Sequence, residues 1–119
     1  MKVVVFGGNG YVGSRVVAAA LKMGLNVVSV SRSGAPNASG QNFKRVQEAV
    51  AGSPGEMTWV SGDVFEPESY ATQLSGAVGA VSCIGAFGSD AFMQKINGDA
   101  NCLAVSESVR AKVPRFVFV

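Results

Sequence analysis

Histidine is absent from this 119-residue sequence, and cysteine occurs only twice, as Cys83 and Cys102. Without histidine, no Cys/His metal cluster and no Ser-His-Asp or Cys-His catalytic pair can be assembled from these residues. Two lone thiols read as reduced and buried rather than as a disulfide framework, which points to an intracellular, reducing compartment: cytoplasm, plastid or mitochondrial matrix. Charge is also scarce, at 15% of residues with a net of +2. Lys44-Arg45 and Arg110 with Lys112 are the only basic clusters, and they read as solvated helix faces. No nucleic-acid partner is expected. No apolar run approaches the length of a membrane span, and Met1 leads straight into an apolar strand without a charged, cleavable leader.

What is present is apolar and periodic. Apolar residues make up 48% of the chain, a composition that suits buried parallel strands. Lys2 to Phe6 is a β-branched run ended by glycines, and reads as a central strand. Val12, Val16, Ala19, Ala20 and Met23 then recur at helical spacing until Gly24. Further strands are expected at Val27–Val30, Met57–Val60, Ala80–Ile84 and Arg115–Val119. Between them, helices are expected at Phe43–Val50, Pro67–Leu74 and from Ala91 to about Ala111, closed by Pro114. This alternation predicts an α/β fold: a Rossmann-type doubly wound parallel sheet with strand order 3-2-1-4-5. It forms one domain over residues 1–119, incomplete at its C-terminal end because the chain stops inside the fifth strand.

The first strand-to-helix turn, Gly7-Gly8-Asn9-Gly10-Tyr11-Val12-Gly13, carries the chemistry. Gly8, Gly10 and Gly13 fit G-x-G-x-x-G, while Gly7, Gly10 and Gly13 fit G-x-x-G-x-x-G; the sequence leaves both open. In either case an early glycine permits the tight turn, Gly10 lets backbone approach a pyrophosphate, and Gly13 lets helix and strand pack closely. The free N–H groups and dipole of the helix start would hold the anion. About 20 residues further on, where an NAD site places an acid on the ribose hydroxyls, stands Ser31-Arg32-Ser33. A guanidinium between two hydroxyls suits a 2′-phosphate, so NADP(H) is favoured over NAD(H), the alternative being a solvated Arg at a strand end.

With these residues placed, the chain resembles the extended and atypical short-chain dehydrogenase/reductase superfamily. Its branch that includes the NADPH-carrying accessory subunit of respiratory complex I and plant plastid relatives is the most similar. The resemblance rests on Val3 to Val17, Val30 to Ser33, Gly62 to Val64, Ser82 to Gly88, Ile96 to Asn101 and Val113 to Val119. It implies that Asp63 and Val64 flank the adenine, although Asp63 could equally cap the following turn. It also implies that Cys83, Ile84, Gly85 and Ala86 meet the sugar and nicotinamide side, with Cys83 inert or, less commonly, reactive. Asn97 would tie the long helix to neighbouring backbone.

The family's Tyr-x-x-x-Lys pair, which handles the proton, is not found here. Arg15 follows Tyr11 and Leu74 follows Tyr70 at the lysine position. The expectations are therefore an NADP(H)-binding portion of an oxidoreductase or isomerase, a non-catalytic NADPH-binding subunit, or a Rossmann-like interaction module. In each case a missing C-terminal half or a partner subunit is expected against the last strand.

Overall fold

The structure is a computed structural model that describes residues 1–85 and 88–119. Along the chain run β1 (Lys2–Phe6), α1 (Tyr11–Lys22), β2 (Asn26–Ser31), α2 (Gln41–Ala51) and β3 (Met57–Ser61). A 3-10 turn (Pro67–Ser69) and the single-turn α3 (Ala71–Leu74) lead to β4 (Gly79–Ser82). Then come α4 (Asp90–Met93), a π-helical stretch (Gln94–Asp99), α5 (Ala100–Arg110) and β5 (Phe116–Phe118). All strand pairs are parallel, and the order is β3-β2-β1-β4-β5. The expected topology is observed.

The alternation of side chains along a strand sends neighbours to opposite faces. On one face Val4, Phe6, Val28 and Val30 meet Tyr70, Leu74 and Ala104. On the other, Val5 and Val27 meet Val17, Leu21, Val46 and Ala49 from α1 and α2. Helices thus cover both faces, which is why β1 is apolar without interruption. The Phe6 and Tyr70 rings meet edge to face at 5.3 Å, a geometry that adds about 0.5–1.5 kcal/mol beyond the area it buries.

Three elements depart from the expected bounds, each for a local reason. β4 ends at Ser82 rather than Ile84, because the Ser82 hydroxyl receives the Ile84 N–H (3.4 Å) and turns the chain off the sheet. The helix expected from Ala91 is interrupted by the π-helical stretch, where Gly98, the poorest helix former there, lies. It also closes before Pro114 through its own cap: Lys112 takes φ 60°, its N–H donates to Val109 O (3.0 Å), and that of Val113 donates to Ser108 O (2.9 Å).

Candidate functional site

β1 sits where the strand order reverses, with β2 on one side and β4 on the other. In open α/β sheets that switch point leaves a crevice beyond the carboxyl ends of the strands. Here it is a cleft of about 390 Å³. Its floor is Phe6, Gly7, Asn9 and Gly10; one wall is Val30, Ser31 and Arg32 with Gly62 to Phe65; the other is Cys83 to Gly85 with Phe92, Lys95, Ile96 and Ala100.

The geometry of the glycine loop decides between the two parsings. Gly7 has φ 81°, a left-handed conformation that favours glycine, and its N–H donates to Val30 O (2.9 Å). A Cβ on Gly13 would fall onto the Gly7 carbonyl oxygen. Gly7, Gly10 and Gly13 are therefore the turn-forming set. Gly8 serves a different purpose, since a Cβ there would press on Ser29 and on Val17 at 2.9 Å. Gly10 is the N-cap of α1, and no side chain among the described residues caps the helix. The first N–H groups of a helix lack intrahelical partners, so those of Tyr11, Val12 and Gly13 remain to be satisfied from outside. Tyr11 itself is 69% exposed, stacked under the Arg15 guanidinium at 3.9 Å. Val12 is exposed as well.

At the end of β2 the chain makes a tight turn. Gly34 N–H donates to Ser31 O (3.2 Å), Ser31 Oγ donates to Gly34 O (2.8 Å), and Gly34 takes φ 73°. Arg32 and Ser33 are the two tip residues, both exposed. The turn is fastened to β3 by Ser61 Oγ, which donates to Arg32 O (2.8 Å). No carboxylate among the described residues pairs with Arg32. Ser33 faces a second, adjoining hollow of about 510 Å³ shared with Asn9 and the start of α2.

Asp63 does cap the following turn: its Oδ1 accepts from Phe65 N–H (2.9 Å). It nevertheless lines the cleft beside Val64. Behind them Tyr70 is fully buried and its hydroxyl donates to Val64 O (2.9 Å). Burial, with smaller contributions from Glu107 and Asp63, pushes its pKa up to about 12. Cys83 and Cys102 are both free thiols. Burial raises the pKa of Cys83 and so disfavours the nucleophilic thiolate, in keeping with the inert reading.

The cleft thus gathers Gly7, Asn9, Gly10, Ser31, Arg32, Asp63, Val64, Cys83, Ile84 and Gly85. Gly8 and Gly13 lie beneath the loop, Tyr11 and Val12 on the rim of α1, and Ser33 in the adjoining hollow. Ala86 lies outside the described residues. Sequence reasoning missed Phe65, Phe92, Lys95 and Ile96, whose arrival depends on how the π-helical stretch is phased; Lys95 Nζ lies 5.1 Å from the centre of the Phe65 ring. It also missed Asn101, one turn beyond Asn97. The Asn101 Oδ1 accepts from Ser82 Oγ, and its amide donates to Ile84 O (3.3 Å) and Asn97 O (3.0 Å). A buried asparagine among Ala100 and Ala104 was the available signal. Among the described residues no group of acids and cysteines could hold a metal, and no helix is long and apolar enough to cross a membrane.

Comparison with known proteins fits this arrangement. An uncharacterized chloroplastic protein of Arabidopsis thaliana is 44% identical over 99% of this chain and 36% of its own length. MIOREX complex component 2 of Saccharomyces cerevisiae is 40% identical over 71% of this chain and 28% of its own. The chain therefore spans about a third of the length of the relatives it matches. Among solved structures, a UDP-glucose-4-epimerase from Stenotrophomonas maltophila with bound NAD and formylated UDP-arabinopyranose superposes with a TM-score of 0.78. It shares 20% identity over 99% of this chain and 36% of that one, a likeness of fold. The profile of the NAD dependent epimerase/dehydratase family matches residues 3–119, and the chain belongs to that family, a part of the extended short-chain dehydrogenase/reductase superfamily.

Proposed function

We propose that this chain is the dinucleotide-gripping part of an atypical short-chain dehydrogenase/reductase-like oxidoreductase, and that it prefers NADP(H). One observation carries the reading: the uncapped start of α1 and the unpaired guanidinium of Arg32 open onto the same cleft. The residues present fit the cofactor. Gly7 to Gly13 would take the pyrophosphate, Asp63 and Val64 the adenine, and Cys83 to Ala86 the sugar and nicotinamide side. Arg32, between Ser31 and Ser33, would take the 2′-phosphate. When bound, the cofactor supplies hydride chemistry, while the protein's part is binding and orientation. The solved neighbour carries NAD, so the preference for NADP(H) rests on Arg32 and on the lack of an acid at the end of β2.

A second reading, a non-catalytic NADPH-binding subunit, draws support from the two tyrosines. Tyr70 is buried with its hydroxyl engaged, and Tyr11 belongs to the loop rim. In either case the free edge of β5 would be covered by further chain or by a partner subunit. An intracellular, reducing setting accords with two free thiols and with the chloroplastic relative.

The test is calorimetric titration with NADPH and NADH. A charge-assisted hydrogen bond contributes about 1.5–3 kcal/mol, so Arg32→Ala should weaken NADPH by roughly 10- to 100-fold and NADH by less than about threefold. Equal losses would refute the 2′-phosphate role, and failure of the wild type to bind either would refute the cofactor reading.

A further inference from the structure

A polar relay runs from the middle of α2 to the tip of the β2 turn, and every hydrogen bond in it points the same way. Arg45 Nη1 donates to Asn42 Oδ1 (3.2 Å). Asn42 Nδ2 donates to the Asn9 carbonyl (3.3 Å), and Asn9 Nδ2 donates to Ser33 Oγ (2.7 Å). Ser33 is thus an acceptor from Asn9, and among the described residues its own proton has no acceptor. The second amide hydrogen of Asn9 is in the same position. Both donors border the hollow of about 510 Å³ beside Arg32. A group that presents only spare donors next to a cation is complementary to an anion.

Arg45 is the unusual member. It is half-buried, and no carboxylate pairs with it among the described residues. Its same Nη1 also donates to Ser14 Oγ (3.3 Å), and the fully buried Ser14 hydroxyl donates to Tyr11 O (3.2 Å). One guanidinium therefore braces the first turn of α1 and the first turn of α2 together. A salt bridge is not its purpose. What it fixes is the position of Asn42, and through Asn42 the carbonyl of Asn9 in the glycine loop.

We infer that Asn42 and Arg45 are positioning residues for NADP(H) selectivity: they hold Asn9 and Ser33 as the neutral donor half of the 2′-phosphate site, opposite the cation Arg32. This rests on the NADP(H) reading above and extends it to residues of α2 that no glycine-loop motif contains. The 2′-phosphate is the one part of the cofactor that NADH lacks, so loss of the relay should act on selectivity. General loosening of the glycine loop would instead weaken both cofactors alike.

The experiment compares the full chain with Asn42→Ala, Arg45→Met and Arg45→Lys. Dissociation constants for NADPH, NADH, 2′,5′-ADP and 5′-AMP are measured by calorimetry, with thermal unfolding as a check on folding. Asn42→Ala and Arg45→Met should weaken NADPH and 2′,5′-ADP roughly tenfold and change NADH and 5′-AMP by less than about twofold. Arg45→Lys should recover part of that loss, because an ammonium can still donate to Asn42. A wild type that prefers NADPH, loses the preference in Arg32→Ala and keeps it in both relay variants overturns the inference alone. Equal losses on all four ligands also overturn it. A wild type with no preference overturns the NADP(H) reading and the inference with it.

Discussion

Ser29 stands in the middle of β2 with its side chain fully buried, and its hydroxyl has no hydrogen-bond partner among the described residues. It is pressed against the glycine loop, where a Cβ on Gly8 would collide with it. An unsatisfied buried hydroxyl costs about 1–3 kcal/mol. Ser29→Ala removes that cost and leaves only a small void, so urea unfolding should show a gain of about 1 kcal/mol. An unchanged or lower midpoint would show that the hydroxyl finds a partner in solution. Neither Ser29 nor Asn101 was legible as a special position beforehand. A serine in a strand and an asparagine in a helix acquire meaning only when packing decides what faces them. Arg32 was legible, because its value lies in where the strand ends and in the acid that is not there.

The connection from β3 to α3 hangs on Tyr70. Its hydroxyl holds Val64 O, its ring meets Phe6, and the turn it closes presents Asp63 to the cleft. Its pKa, 10.0 in the ordinary phenol, is pushed up to about 12 chiefly by burial. Folding therefore favours the neutral phenol. That contribution is whole below about pH 10 and is lost as the pH rises towards about 12. Two units amount to about 3 kcal/mol. Tyr70→Phe should be less stable than wild type at pH 8, yet lose less of its stability between pH 10 and 12, as denaturant titrations across that range would show. Parallel pH curves would remove the argument. Elements themselves were mostly readable in advance. β1, β2 and β3 are bounded by glycine, serine or a clear change of period, and α1 by its apolar spacing. The region from Ala91 to Ala111 was not, because a π-helical stretch keeps the same residue types and alters only how many complete a turn. For that reason the wall of the cleft formed by Phe92, Lys95 and Ile96 escaped notice while the floor did not.

At the scale of the whole molecule, the sheet has two edges of different character. β3 at one edge carries Thr58 and Ser61 toward solvent, whereas β5 at the other exposes Val117 at 53% and Phe118 at 60%. An apolar edge strand with unpaired backbone groups is a template for another strand. Val117→Lys should reduce self-association of the chain in sedimentation velocity and leave NADPH affinity within about twofold. Unaltered association would place the sticky surface elsewhere.

The sheet order has a further consequence for how the chain is made. β1 is the first of the five strands to be synthesised, yet it ends up in the centre of the sheet. Its pairing on one side, Val3 with Val27, is available early. On the other side Val3 must wait for Gly79, and the strand there is followed by its own neighbour only at Phe116. At about 5–20 residues per second, the interval between Val3 and Gly79 lasts on the order of several seconds. Throughout that time the most apolar strand of the protein has one open flank on the ribosome, and the glycine loop at its end has no opposite wall. A chaperone that binds short β-branched runs would find its site at Lys2 to Phe6, in the nascent chain rather than in the finished fold.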